Sequence, residues 1–428
     1  MSAETLTVQT RHVESPEARS QRLSTGILVV VIGAILAVMA FTVHHTGIIA
    51  LSDAFDEVQL PKIELPGTPT VLVSALLVLG AGISLLSGRL SRRLRVVAAV
   101  VAGAGVLVGF VVWAAASSDL PFTITSQLNL TLEYATPLFF GVLGGVLAER
   151  AGVVNIAIEG QFLTAAFAAS LTYSITKSFV AALFAAALAS VMMSAVLTLF
   201  ALRYLVDHVI IGVVINVLAT GLTGFIYQQL VAKDPGTYSS VRPMLPISVP
   251  GLDKIPFLGP ILFTQRPLTY LAFVSVALVW FLLFRTKWGL RVRSVGEHPH
   301  AADTVGIPVV RTKTTAVLLG GLFAGLGGAY FTIGSVGAFQ DNNPTAGNGF
   351  IALAAVIMGR WHPVYGALTA LFFGFARALA QTTKPMQLPI PSHFIEMLPY
   401  LATIIAVAGL VGRVRPPAAD GAHFVKSH

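Results

Sequence analysis

Twelve apolar runs separated by short polar or charged stretches set the pattern of the chain: 25–43, 70–87, 96–116, 128–148, 153–176, 178–202, 209–231, 267–284, 314–334, 349–359, 364–381 and 394–412. Most of them approach the roughly 20 residues that an α-helix needs to cross a hydrocarbon core about 30 Å thick. The 349–359 run is too short to cross alone, so it is tilted, extended into its flanks, or re-entrant. The pattern predicts an all-α integral membrane protein, a polytopic helical bundle of about 10–12 transmembrane helices.

Composition sharpens this picture. Of 428 residues, 55% are hydrophobic and only 11% charged, where a soluble domain carries about 25% charged residues. The formal charge of +8 is spread in clusters between the apolar runs, with no basic face or aromatic-interleaved patch, so no nucleic-acid partner is implied. The clusters do carry topology. With the N-terminus inside, "GRLSRRLR" (88–95), the 285–313 loop and Arg413 with Arg415 all fall on the inner side, while 44–69 bears Asp53, Asp56, Glu57 and Glu64 outside. Positive residues favour the cytoplasmic side, so both termini are expected to be cytoplasmic. Residues 1–23 are polar and no small-residue cleavage site follows the first run, which therefore reads as a transmembrane helix and not as a cleaved signal. The absence of cysteine excludes disulfides, thiolate metal sites and lipobox-type acylation.

Five segments follow: a cytoplasmic tail (1–24), an additional transmembrane module (25–127), a Gly/Ala-rich core (128–412) containing a basic cytoplasmic loop (285–313), and a second tail (413–428). The glycines of "GVLGGVL" (141–147), "GGLFAGLGGAYF" (320–331) and "GALTALFFGFARAL" (366–379) allow close approach of membrane helices, and packing explains them better than ligand binding. No G-x-x-x-x-G-K-[ST] occurs, so ATP is not bound by that route. Neither H-E-x-x-H nor G-x-S-x-G is present and no Asp or His pair sits inside the spans, which argues against an intramembrane enzyme and implies no metal or cofactor. An ion-coupled secondary transporter would need more intramembrane carboxylates than are found, and would have no use for a cytoplasmic docking helix. The Pro-, Gly- and Ser-rich stretch 232–266 is expected to be an external loop able to dock something outside.

Polar residues inside the spans are costly and mark functional positions. In "AERAGVVNIAIEGQ" (148–161), Glu149 and Arg150 stand at a helix end and read as a boundary pair. Asn155 and Glu159 are four apart, would share one helical face, and either line a water-filled path or bond a neighbouring helix. Asn216 poses the same choice between path and helix–helix contact. Glu133 and Tyr134 are candidates for an outer vestibule, and "GAFQDNNPTAGNGF" (337–350) for a gate loop or an ordinary turn. His44 and His45 read as interfacial, and Trp361, between Arg360 and His362, as an interfacial anchor. Phe139, Phe140, Phe162, Phe225 and Phe350 are available to stack a planar ligand, although Phe in such an array usually packs.

The most specific local signal is "RSVGEHPHAADTVGIP" (293–308). Pro299 to Val305 is expected to form a short amphipathic helix, entered at Pro299 and stopped at Gly306 with Pro308 beyond. "HAADTVG" (300–306) resembles the Ala-Ala-x-x-x-Gly coupling loop of bacterial ABC importer permeases, with His300 where the family usually has Glu. Together with "ERAGVVNIAIEGQ" (149–161) and "TAGNGFIALAAVIMGRWHPVYGAL" (345–368), it makes residues 128–412 similar to the branched-chain amino acid/ribose type permeases, most of all to those of nucleoside importers served by a basic-membrane-protein type lipoprotein. The resemblance implies a multi-pass permease in the plasma (inner) membrane of a prokaryote. Its expected partners are an ABC ATPase subunit, a second homologous permease, an extracellular substrate-binding lipoprotein and membrane lipid. It implies ATPase coupling through Gly296, Glu297, His300, Ala301, Ala302 and Gly306, and a substrate path near Asn155, Glu159 and Asn216. Simple sugars and branched-chain amino acids are the alternative substrates that the same architecture carries.

Overall fold

The computed structural model describes residues 16–43, 45–54, 58–88, 90–339, 344–397, 400–401 and 415–426. His44, Asp56, Glu57, Arg413 and most of the 394–412 run lie outside the described residues. The chain divides into two compact units, Met1–Ile48 with Glu64–Pro121 and Gly409–Gly412, and Ile49–Ile63 with Phe122–Ala408 and Arg413–His428.

The first unit contains α1 (Pro16–Ala40), α2 (Gly67–Leu86) and α3 (Arg92–Ala116). Helix α1 starts nine residues before the apolar run, because Pro16 is tolerated at a helix start and the polar 16–24 segment continues the helix. Small residues set the spacing: a Cβ on Gly33 would stand 2.9 Å from Leu79, and one on Gly105 2.8 Å from Val78. Ser91 caps α3 by accepting from the Leu94 N–H. The Trp113 indole donates to Thr42 Oγ1 at 3.0 Å.

Three short strands occur, β1 (Thr46–Ala50), β2 (Ile63–Pro66) and β3 (Phe122–Thr123); in the second unit Ile49 and Ala50 pair in parallel with Phe122 and Thr123. Helices α4 (Ile124–Arg150), α5 (Ile158–Thr176), α6 (Phe179–Thr198) and α7 (His208–Ile226) follow. The 232–266 loop holds two short helices, α8 (Pro235–Tyr238) and α9 (Leu258–Leu262), and an antiparallel pair, β4 (Ile247–Ser248) with β5 (Thr264–Gln265). The remainder comprises α10 (Pro267–Arg285), α11 (Lys287–Glu297), α12 (Pro299–Thr304), α13 (Val309–Ala329), α14 (Asn348–Met358), α15 (Pro363–Thr383) and α16 (Ser392–Glu396).

Among the described residues nine helices are long and apolar enough to cross a membrane. The difference from twelve runs has three sources. Residues 153–157 are not helical, and α5 carries Glu159, Gln161, Thr164, Ser170 and Ser174 as buried groups, so it is a protein-enclosed helix rather than an apolar one. The 349–359 run forms only the short α14, and the last run is largely outside the description.

Helix α4 is the centre of the second unit, buried on every face from Ala135 to Glu149. A helix enclosed on all sides must be apolar all round, and its glycines let neighbours touch backbone. A Cβ on Gly144 would stand 2.8 Å from the Gly320 carbonyl, and one on Gly320 2.7 Å from that of Gly144, so α4 and α13 cross in direct backbone contact. A Cβ on Gly374 would meet the Thr131 carbonyl at 2.7 Å, and one on Gly328 the Phe162 carbonyl at 2.4 Å, which brings α15 and α5 equally close.

Candidate functional site

The segment that joins α4 to α5 is irregular, and its polar groups are bonded one by one. Gly152 takes a left-handed conformation (φ +79°) that ends α4. The Glu149 carboxylate accepts from the Trp361 indole through Oε2, while its buried Oε1 has no hydrogen-bond partner among the described residues. Arg150 Nε donates to the Trp361 carbonyl at 2.8 Å and Nη2 to that of Arg360 at 3.3 Å. These two side chains therefore hold a turn in which Arg360 and Trp361 both have positive φ, at 55° and 52°, a conformation costing roughly 1–2 kcal/mol per non-glycine residue. Trp361 is 5% exposed, so it is a buried clamp and not the interfacial anchor expected.

Asn155 precedes α5 by three residues, so it does not share a helical face with Glu159 as the spacing suggested. Its amide pairs with Gln161, 3.2 Å from Nδ2 to Oε1, and Gln161 donates on to Ser194 Oγ of α6 at 3.0 Å. Ala157 at the head of α5 has no capping side chain. Asn216 of α7 supplies the cap from outside: its Oδ1 accepts from the Gly160 N–H at 2.8 Å and its Nδ2 donates to the Ile156 carbonyl at 3.0 Å. The Val154 N–H donates to His208 Nδ1 at 3.3 Å.

Glu159 does the same for α14. That helix opens at Gly347 (φ +77°) with no cap of its own. The Glu159 carboxylate accepts from Thr345 Oγ1 at 2.6 Å, the Gly347 N–H at 2.9 Å and the Gly349 N–H at 2.7 Å. A carboxylate on the unbonded amides of a helix start is favoured by charge-assisted bonds and by the helix dipole. On the far side of the same turn, Arg377 Nη1 donates to Asn348 Oδ1 at 2.6 Å, and its guanidinium lies 5.2 Å from the Tyr134 ring centroid. The start of α14 is thus held between a buried anion and a part-buried cation. Helix α14 rises about 16 Å from its far end to this point, half the thickness of a bilayer core. Two helix N-termini, of α5 and α14, meet there.

Glu133 pairs with Arg266 at 3.5 Å and accepts from Ser335 Oγ at 3.0 Å, while Arg266 also donates to the Gly334 carbonyl. Phe139, Phe140 and Phe162 are core, whereas Phe350 is 49% and Phe225 65% exposed. His45 accepts through its carbonyl from the Gly67 N–H at 3.2 Å. Among the described residues no three His, Cys, Asp or Glu converge to hold a metal.

At the basic end, α12 forms where the sequence places a short helix, with Pro299 at its start and Gly306 at φ +80° after it. The six candidate coupling residues divide by face. Ala302 is buried and Gly296 touches α4, since a Cβ there would stand 2.1 Å from the Arg150 carbonyl. Ala301, Glu297, His300 and Gly306 are exposed, as are Thr304 and Val305 beside them.

Comparison with known proteins adds the decisive observation. The family described as "branched-chain amino acid transport system / permease component" matches residues 127–408. The chain belongs to this permease family. It is 39% identical over 317 residues to the guanosine ABC transporter permease protein NupQ of Bacillus subtilis, covering 72% of this chain and 99% of that one. It is 38% identical over 307 residues to the nucleoside ABC transporter permease protein NupC of Lactococcus lactis, covering 69% and 95%. A putative glucose ABC transporter permease protein of Haloferax volcanii is 32% identical over 266 residues, covering 61% and 79%. No solved structure matches.

Several groups in this multi-pass permease escape a sequence reading. Lys313 counts as one more basic loop residue by position, yet it is fully buried in α13, donating to the carbonyls of Gly152 at 3.2 Å and Ala422 at 3.3 Å. Gln161, Ser194 and His208 look unremarkable in sequence, because only the fold brings them to the turn. Arg377 did carry a signal, a lone cation inside an apolar run.

Proposed function

We propose that this permease carries nucleosides across the plasma membrane as the transmembrane subunit of an ABC importer. The observation that carries the reading is the near full-length match to two permeases named for guanosine and nucleoside transport, at 39% and 38% identity. The site is compatible with it: at the start of α14, held by the Glu159 carboxylate and by Arg377 on Asn348, Phe350 is exposed and offers a planar ring a face. ATP hydrolysis would belong to a separate ATPase subunit docked on the exposed residues of α12 and its flanks. A second homologous permease would complete the path, and an extracellular lipoprotein would deliver solute.

Asn155, Glu159 and Asn216 act in this reading as the wall of the path. They hold the starts of α5 and α14, whose relative movement opens and closes it. Uptake of labelled uridine, adenosine and guanosine, with and without the gene, tests the proposal. Competition by other nucleosides supports it. The glucose-permease relative motivates a second reading: competition by glucose or ribose alone would move the substrate to simple sugars, and by leucine alone to branched-chain amino acids.

A further inference from the structure

Residues 415–426 form no helix or strand, yet they are placed by a dense set of contacts. The family match ends at residue 408, so this tail lies beyond it. Its first contacts are with the end of α11, which leads into α12. The Ala419 N–H donates to the Gly296 carbonyl at 2.9 Å, and the Ala418 N–H to the Glu297 carboxylate at 3.2 Å. Phe424, 8% exposed, packs into a cluster with Val295, Ala302, Val309 and Ile307, and the His300 ring lies 5.2 Å from it.

Its other contacts are with the α4–α5 turn. A Cβ on Gly152 would stand 2.8 Å from the Ala419 carbonyl, and one on Gly421 3.4 Å from Val154. The Lys313 ammonium bonds the carbonyls of Gly152 and Ala422 together. His423 lies 5.6 Å from His208, which itself accepts from Val154. Asp420 sits beside Lys313, its Oδ1 buried and without a hydrogen-bond partner among the described residues. The tail therefore spans from the coupling helix to the segment that leads into α5.

A helix as short as α12 is not stable alone and takes its position from what packs on it. Of its two buried residues, Pro299 and Ala302, Ala302 lies in the Phe424 cluster, whereas Ala301, Thr304 and Val305 are exposed. We propose that the C-terminal tail is a transmission strap and Phe424 its positioning residue: Phe424 fixes α12 from behind, so that displacement of α12 by the ATPase is passed through residues 418–424 to the α4–α5 turn. The inference rests on the reading of α12 as the ATPase contact.

The experiment uses the full complex in proteoliposomes, with Phe424→Ala, Phe424→Leu and a chain ending at Arg415. Uptake, ATP hydrolysis and retention of the ATPase are measured on each. The expected result for Phe424→Ala and for the truncation is retained ATPase, continuing hydrolysis, and uptake per ATP lowered roughly tenfold, with Leu restoring most of it. A merely structural role would lower uptake and hydrolysis together. Unchanged uptake per ATP in the truncated chain overturns the proposal, and so does loss of the ATPase from the complex, which would make the tail a docking platform. Val305→Asp on the exposed face separates the two readings. If it leaves ATPase retention and uptake intact, the assignment of α12 fails whatever the tail does. Should Phe424→Ala not accumulate, the truncation and the Leu variant decide.

Discussion

Replacing Glu159 is the sharpest test of how the start of α14 is held. Alanine removes an acceptor from two backbone N–H groups, Gly347 and Gly349, and from the Thr345 hydroxyl, and it removes the negative charge from the helix start. A buried donor left without its partner costs about 1–3 kcal/mol; with Gly349 buried and Gly347 part-buried, the two amides amount to at most about 2–6 kcal/mol. Partners found in the membrane-inserted but unpacked state reduce this, and about 3 kcal/mol is the expected net. That is roughly a 150-fold rise in the population of the detached turn. Glutamine is instructive. With its oxygen at the Oε1 position it still accepts from Thr345 and Gly347, but its amide nitrogen then faces the Gly349 N–H, donor against donor. One bond and the charge are lost, about 1–2 kcal/mol. The assay is amide hydrogen exchange of the 345–350 peptide in lipid nanodiscs, where protection reports the local opening equilibrium. Protection should fall about 150-fold in the Ala variant and about 10-fold in the Gln variant. Wild-type protection in Glu159→Ala would refute the capping argument, and normal uptake by that variant would refute its place in the wall of the path.

Three further outcomes follow from the same geometry. Gly349→Ala would put a Cβ 2.4 Å from the Glu159 backbone nitrogen; neither backbone can yield cheaply, so the variant should melt well below wild type, and an unchanged melting temperature would show that α5 and α14 are not in contact. A Cβ on Gly306 meets nothing within 4 Å among the described residues, and its positive φ costs only about 1–2 kcal/mol, so Gly306→Trp should fold and insert while uptake is abolished by a clash with the docked ATPase. Burial pushes the Asp420 carboxyl up to about 7, against the pull of Lys313 and the Gly421 N–H. The docked tail then keeps a proton that the released tail gives up between about pH 4 and 7, so docking weakens as pH rises through that window and levels off above it. Limited proteolysis should cut the wild-type tail faster at pH 8 than at pH 6, whereas Asp420→Asn should reduce the difference, because Asp420 ionises against the neighbouring Glu149 carboxyl.

Periodicity and composition alone are enough for the helical membrane class and most of the span positions, while contiguous motifs carry the short helix after Pro299 and the resemblance to the permease family. Apolar length does not require a partner to be recognised, and neither does Pro299 at a helix start or Gly306 beyond its end. Reading failed where a residue's meaning depends on a distant neighbour. Asn155 and Glu159 are four apart, but the helix that would have aligned them begins only at Ile158, because Gly152, the Lys313 bond to its carbonyl and the Asn155–Gln161 pair hold the chain irregular before it. Asn216, on α7, caps α5, and Glu159, on α5, caps α14; neither relation has a trace in local spacing. Lys313 was one more positive residue in a basic loop until folding buried it among carbonyls. The tail carried no pattern at all, and its place is decided by Phe424 and by two of its N–H groups, which donate to the Gly296 carbonyl and the Glu297 carboxylate. Transfer of apolar surface out of water is additive along the chain and so is visible in one dimension. Satisfying buried polar groups is a pairwise problem across the fold, and only the assembled bundle shows which donor meets which acceptor.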